Sequence, residues 1–73
     1  MEIQSLDLRE QRCPMALLMA KRACATLGQG EQIALYVSDS GALKDIPRYL
    51  NSNGFDFEQQ IVHGVTVFCV TKL

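Results

Sequence analysis

The stretch Arg12-Cys13-Pro14-Met15-Ala16-Leu17-Leu18-Met19-Ala20-Lys21-Arg22-Ala23-Cys24-Ala25-Thr26-Leu27-Gly28 decides how this chain folds. Proline is favoured at the first helical position, where its missing N–H costs nothing and its φ is already set. Pro14 therefore opens a helix over about residues 14–27, and Gly28 stands where a helix-ending glycine is expected. Cys13 becomes the expected N-cap, with its sulfur beside the unpaired N–H groups of the first turn. A thiol so placed gains thiolate character, because a helix N-terminus carries partial positive charge. At 100° per residue, Ala16, Leu17, Ala20, Ala23, Cys24 and Leu27 share one arc, the expected core face. Lys21, Arg22 and Thr26 fall outside it, and so do Met15, Leu18 and Met19. A helix packing by its small residues leaves these three large side chains partly exposed near Cys13, an adaptable docking surface. The rival reading makes Met19 boundary core.

Outward from this helix, residues 3–8 alternate loosely and read as a strand, with Leu6 and Leu8 on one face and Asp7 on the other. Residues 9–12 are a short polar connection. Glu31 to Val37 is the strongest strand and stops at Ser38-Asp39-Ser40-Gly41. Strand, helix and strand in this length imply a right-handed parallel crossover. The polar break supplies an N-cap for a second helix from about Gly41 to Asn53. Pro47 falls inside it, so either its first part is a separate turn or the helix begins near Ile46. Leu43, Ile46, Tyr49 and Leu50 form its apolar side, and Asn53-Gly54 closes it. Phe55 to Val62 and Val65 to Lys72 are two strands joined at His63-Gly64, with glycine supplying the positive φ of a tight turn. The order is β-α-β-α-β-β. That makes an α/β two-layer sandwich, a mixed four-stranded sheet with both helices on one face.

Seventy-three residues suit one domain spanning 1–73. A chain this short buries only roughly 60% of its unfolded surface and has no room for a deep cofactor pocket. Chemistry is expected at the surface, jointly with a protein partner and without a cofactor. A net charge of −1 argues against direct nucleic-acid binding, and 48% apolar residues exclude disorder. Met1-Glu2-Ile3-Gln4 lacks the basic start of a secretion signal, and no apolar run approaches a membrane span. The expected location is a reducing cytoplasm, with the three cysteines as free thiols. No Cys-x-x-Cys pair and a single histidine leave no metal site to expect.

Leu6-Asp7-Leu8-Arg9, then Arg12-Cys13-Pro14 and its helix, then Asp45-Ile46-Pro47 together resemble the TusA-like (SirA-like) family of small bacterial sulfur-carrier proteins. The likeness covers essentially the whole chain in element order and length. It implies a β-α-β-α-β-β fold and a sulfur relay, in which the cysteine of Cys-Pro accepts a persulfide from a cysteine desulfurase or rhodanese-type donor. An acceptor protein then receives the sulfur. Cys13 alone carries over as the persulfide site, and such a protein is at most a sulfurtransferase acting as a relay. The family motif usually reads Cys-Pro-x-Pro, whereas this chain has Ala16 in the last position. It also has Glu10 where the family commonly has glycine. This is a divergent member of the pattern, and its donor, its acceptor and the final sulfur product stay open.

The magnitudes favour a carrier over a stand-alone catalyst. A thiol of ordinary pKa near 8.5 is only roughly 3% thiolate at neutral pH. A helix N-terminus contributes about 0.3–1 kcal/mol for a nearby anion, under one pKa unit. Arg12 and Arg9 add a supporting, screened contribution beside Pro14. No general base is adjacent, since His63 belongs to the far hairpin turn. Lys21 and Arg22, with Arg9 and Arg12, form a candidate basic rim facing an acidic donor; the plain alternative is the solvent side of a helix. The rival functional class is a regulatory binding module, with Met15, Leu18 and Met19 docking a partner and Cys13 at most redox-sensitive. A third class, a redox thiol, needs a resolving cysteine. Cys24 reads as core. Cys69 reads as structural if it shares a face with Val65 and Val67, with an open-face placement as the alternative.

Overall fold

The computed structural model describes residues 4–12 and 14–73. The elements run β1 (Gln4–Leu8), α1 (Met15–Ala25), β2 (Gln32–Val37), α2 (Ser40–Ser52), β3 (Phe55–Val62) and β4 (Val65–Lys72). The sheet order is β1-β2-β4-β3, with β1 parallel to β2 and β4 antiparallel to both its neighbours. A parallel pair needs a crossover, and α1 supplies it. Both helices and a mixed four-stranded sheet are thus present in the expected order.

Registry stacks the core. Leu8 lies opposite Val37, Leu35 opposite Phe68, and Ile33 opposite Val70. These strand residues join Ala16, Ala20 and Cys24 of α1 and Ala42, Ile46 and Leu50 of α2 in one buried cluster. Phe57 meets Phe68 edge-on, with ring centroids 5.9 Å apart. Alternation along β4 sends Val65, Val67 and Cys69 to the face away from the helices. Cys69 is therefore a half-exposed thiol on the open face, opposite Ala34 and Glu58, and Cys24 is the buried one.

Two local expectations need correction. The first helix ends at Ala25, not at Leu27, and Gly28 does not take a left-handed φ. Its last turn tightens instead: Thr26 donates its N–H and its hydroxyl to the Ala23 carbonyl, and the Leu27 N–H reaches Cys24. Gly28 then donates its N–H to the Glu31 carboxylate. The second helix is continuous from Ser40 through Pro47 to Ser52, with no separate first turn. Asp39 caps it by accepting the Ala42 N–H at 3.0 Å, and the Leu43 N–H bonds the Asp39 carbonyl. Burial of Ala42, Ile46 and Leu50 on both sides of the proline outweighs the one backbone bond that Pro47 cannot make. The hairpin turn stands as expected, with positive φ at Gly64 (78°) and also at His63 (52°), the pair of a type I′ turn.

Candidate functional site

The carboxyl ends of the two parallel strands open onto a cleft lined by Arg9, Glu10, Gln11, Arg12, Ser38 and Asp39. Ends of parallel strands are where α/β sheets commonly place ligands and chemistry. Here the connection from β1 to α1 forms one wall and the start of α2 the other. Cys13 follows Arg12 directly in the chain. Cys13 itself, and with it the expectation that its sulfur caps α1, lies outside the described residues.

The wall formed by residues 9–12 is tied at both ends. Asp7 accepts three hydrogen bonds from Arg9: from the backbone N–H at 3.0 Å, from Nε at 2.9 Å and from Nη2 at 2.8 Å. The Gln11 N–H then closes a turn onto the Leu8 carbonyl at 3.0 Å. At the other end the Ala16 N–H bonds the Arg12 carbonyl at 2.9 Å. The Arg9 bonds hold the Asp7 carboxyl at about 2, below its usual 3.8, and the Asp7 carboxylate raises the Arg9 guanidinium in return. Arg9 thus has its charge matched by Asp7.

Pro14 occupies the cap position of α1, one place earlier in the helix nomenclature than expected. Its carbonyl accepts the first intrahelical bond, from the Leu18 N–H at 3.0 Å. Pro14 has no side-chain group that could cap this end, and the first turn carries no acidic residue among the described residues. Partial positive charge at the N-terminus is therefore left unneutralised by the helix's own side chains.

Of the expected docking residues, Met15 and Leu18 stand in solvent at 51% and 48% exposure. Met19 is half-buried and packs against the core. The helix rides on Ala16 and Ala20, and the next residues round its flank are drawn in with them. Lys21 and Arg22 are exposed, and the Lys21 ammonium sits 5.4 Å from the centroid of the Tyr49 ring. Lys21 and Arg48 border a second groove between the helices, with Leu17, Asp45, Tyr49 and Ser52. Burial pushes the Cys24 thiol up, so that cysteine is a poor nucleophile. Among the described residues no group of histidine, cysteine, aspartate and glutamate is arranged to hold a metal ion, and no helix is long and apolar enough to cross a membrane.

Comparison with known proteins agrees with this geometry. The family model described as sulfurtransferase TusA matches residues 4–72. A protein of Neisseria meningitidis serogroup A, named "Putative sulfur carrier protein NMA0882", is 32% identical over 54 residues, covering 74% of this chain and 73% of the relative. "Putative sulfur carrier protein YrkI" of Bacillus subtilis is 30% identical over 59 residues, covering 81% and 79%. With the β-α-β-α-β-β order, the mixed sheet and a match from the first described strand to the last, this chain belongs to the TusA family.

Proposed function

We propose that the protein is a sulfur carrier in which Cys13 holds the cargo as a persulfide. The observation that carries this reading is the family match across residues 4–72, which includes the Cys13-Pro14 pair at the entrance to α1. In the loading step the Cys13 thiolate attacks the outer sulfur of a persulfide on the donor's cysteine. A new S–S bond forms on Cys13, the donor's S–S bond breaks, and the donor cysteine leaves as thiolate. No electrons are gained or lost overall, so no cofactor is required. Delivery repeats the same exchange with an acceptor protein. Reversible transfer suits a moderately activated thiol, since a strongly stabilised thiolate is a weaker nucleophile.

The amino end of α1, whose described first turn carries no acidic residue, supports such activation. Arg12 supplies a cation next to Cys13 in sequence, while the Asp7–Arg9 pair serves to hold the loop. Met15 and Leu18, exposed on the first turns of α1 with Lys21 and Arg22 further along, form the surface that meets the donor. A cysteine desulfurase or a rhodanese-type protein is the donor class, and the cytoplasm the expected setting. Incubation with a desulfurase and cysteine should add one sulfur atom to the wild-type chain, read by intact mass, and none to Cys13→Ser. Equal loading of Cys13→Ser would move the site elsewhere, with the half-exposed Cys69 as the next candidate.

A further inference from the structure

The sheet has two edges, and they are finished differently. β1, described over Gln4–Leu8, runs directly into the Asp7–Arg9 ion pair. β3 is eight residues long and pairs with β4 one for one from Phe55↔Lys72 to Val62↔Val65, without a bulge. Edge strands are ordinarily protected by proline, lysine, a bulge or a covering element. β3 has no proline, no lysine and no bulge, and its two charged side chains, Asp56 and Glu58, lie on the face away from the helices. The core packing that covers Phe55 and half-covers Phe57 stops there: Ile61, on the same face, is 73% exposed, and Val62 is 44% exposed. Ile61 is the most exposed of the large apolar side chains described.

The turn fixes which backbone groups this edge offers. A two-residue type I′ turn makes Val62 and Val65 a hydrogen-bonded pair, and pairs alternate from there. Phe57, Gln59 and Ile61 therefore direct their N–H and C=O groups away from β4, toward the open edge, where the Asp56 carboxylate, which accepts the Phe57 N–H at 3.0 Å, has to be displaced by a pairing strand.

We propose that β3 pairs antiparallel with β3 of a second copy, about a two-fold axis through Gln59. This builds an eight-stranded sheet with the helices of both copies on one face. Gln59 then faces Gln59, Phe57 faces Ile61 of the second copy, Glu58 faces Gln60, and Asp56 faces Val62. The edge is complementary to itself in this register. Apolar meets apolar on the helix side, and each carboxylate meets an uncharged side chain on the other. Sliding two residues one way sets Glu58 against Glu58, a like-charge pair that opposes association. Sliding two residues the other way sets Ile61 against Gln59 and loses the apolar pair. Charge and hydrophobicity select the same register. The cleft at residues 9–12 lies on the opposite edge, three strand spacings or about 14 Å away, so both copies keep it open.

One edge pairing is smaller than the interface of a permanent dimer, so the association is weak and reversible. Sedimentation equilibrium of the full chain should show the mean mass rising from 8.1 kDa toward twice that value between micromolar and millimolar concentration. Ile61→Lys should weaken association by about tenfold or more, since each dimer loses two buried isoleucines. A wild-type chain that stays monomeric to millimolar concentration overturns the proposal, as does a dimer indifferent to Ile61→Lys. Register is tested separately with Gln59→Cys in a chain whose Cys13 and Cys69 are serine. Opposed residues in a hydrogen-bonded pair have Cα atoms about 5.5 Å apart, within disulfide range. Gln59→Cys should cross-link faster than Ser52→Cys in the same background, and equal rates would overturn the register.

Discussion

The two helices lie on the same sheet and attach to it by opposite means. α1 buries Ala16, Ala20 and Cys24, all small, and turns Met15 and Leu18 outward. α2 buries Ala42, Ile46 and Leu50 and turns Lys44, Arg48 and Asn51 outward. The amino end of α2 is closed by the Asp39 carboxylate, whereas among the described residues the first turn of α1 carries no acidic side chain. α2 is thus built as a fastening: its large apolar groups, its cap and its polar outer face all favour one fixed position. α1 lies close to the sheet through alanines and keeps its bulk and its helix end outward. Within one layer, stability is concentrated in α2 and presentation in α1.

The largest test of that division is Ile46→Ala. Removing a fully buried isoleucine should cost about 2–5 kcal/mol in a urea denaturation. A chain this small has little stability to spare, so partial unfolding at room temperature is within reach. A cost below about 1 kcal/mol would mean that α2 is not the anchor, and the contrast between the helices would fail.

Leu18→Asp probes the other side. Leu18 is half in solvent already, so stability should change by no more than about 0.5 kcal/mol. If the proposed docking surface serves the donor, sulfur loading at limiting donor concentration should slow by roughly tenfold, the loss of one buried leucine contact. Unchanged loading would leave Met15 and Leu18 as apolar groups that α1 merely has no room to bury.

Much of this was legible in the chain because local signals agreed. The strand from Glu31 to Val37 alternates cleanly, His63-Gly64 sits at hairpin spacing, and Pro14 marks a helix start within two residues. The misreadings arise where another contact, local or tertiary, overrides a simple local rule. Gly28 has the right identity to end a helix, yet the Thr26 hydroxyl ends it first. Pro47 should break a helix, yet Ile46 and Leu50 are both fully buried and hold the two halves in line. Met19 lies outside the small-residue arc by angle alone, but a long flexible side chain reaches back to the core. At the site, the connection leading to Cys13 could be located from sequence, whereas the Asp7–Arg9 pair could not be ranked above ordinary solvated charges. Only the geometry shows that one carboxylate takes three bonds from a single residue.

That pair carries the smallest expected effect and the most specific one. The Asp7 carboxyl is held at about 2 in the folded chain, chiefly by the side-chain bonds from Arg9, against an ordinary value of 3.8. A depressed folded-state pKa means the carboxylate form favours folding. Its contribution is fully present above about pH 4 and is lost as the pH falls through about 2. Both side chains are more than half exposed, so solvent screens the pair and its weight in global stability is slight. Asp7→Asn should therefore leave stability near neutral pH almost unchanged and flatten the acid limb of the stability profile between about pH 4 and pH 2. The same substitution frees Arg9 and loosens the start of the loop that leads to Cys13, while α1 and α2 stay as they are. A stability profile identical to wild type through the acid range would show that Asp7 titrates as an ordinary surface carboxylate, and that the loop owes its shape to the turn from Leu8 to Gln11 alone.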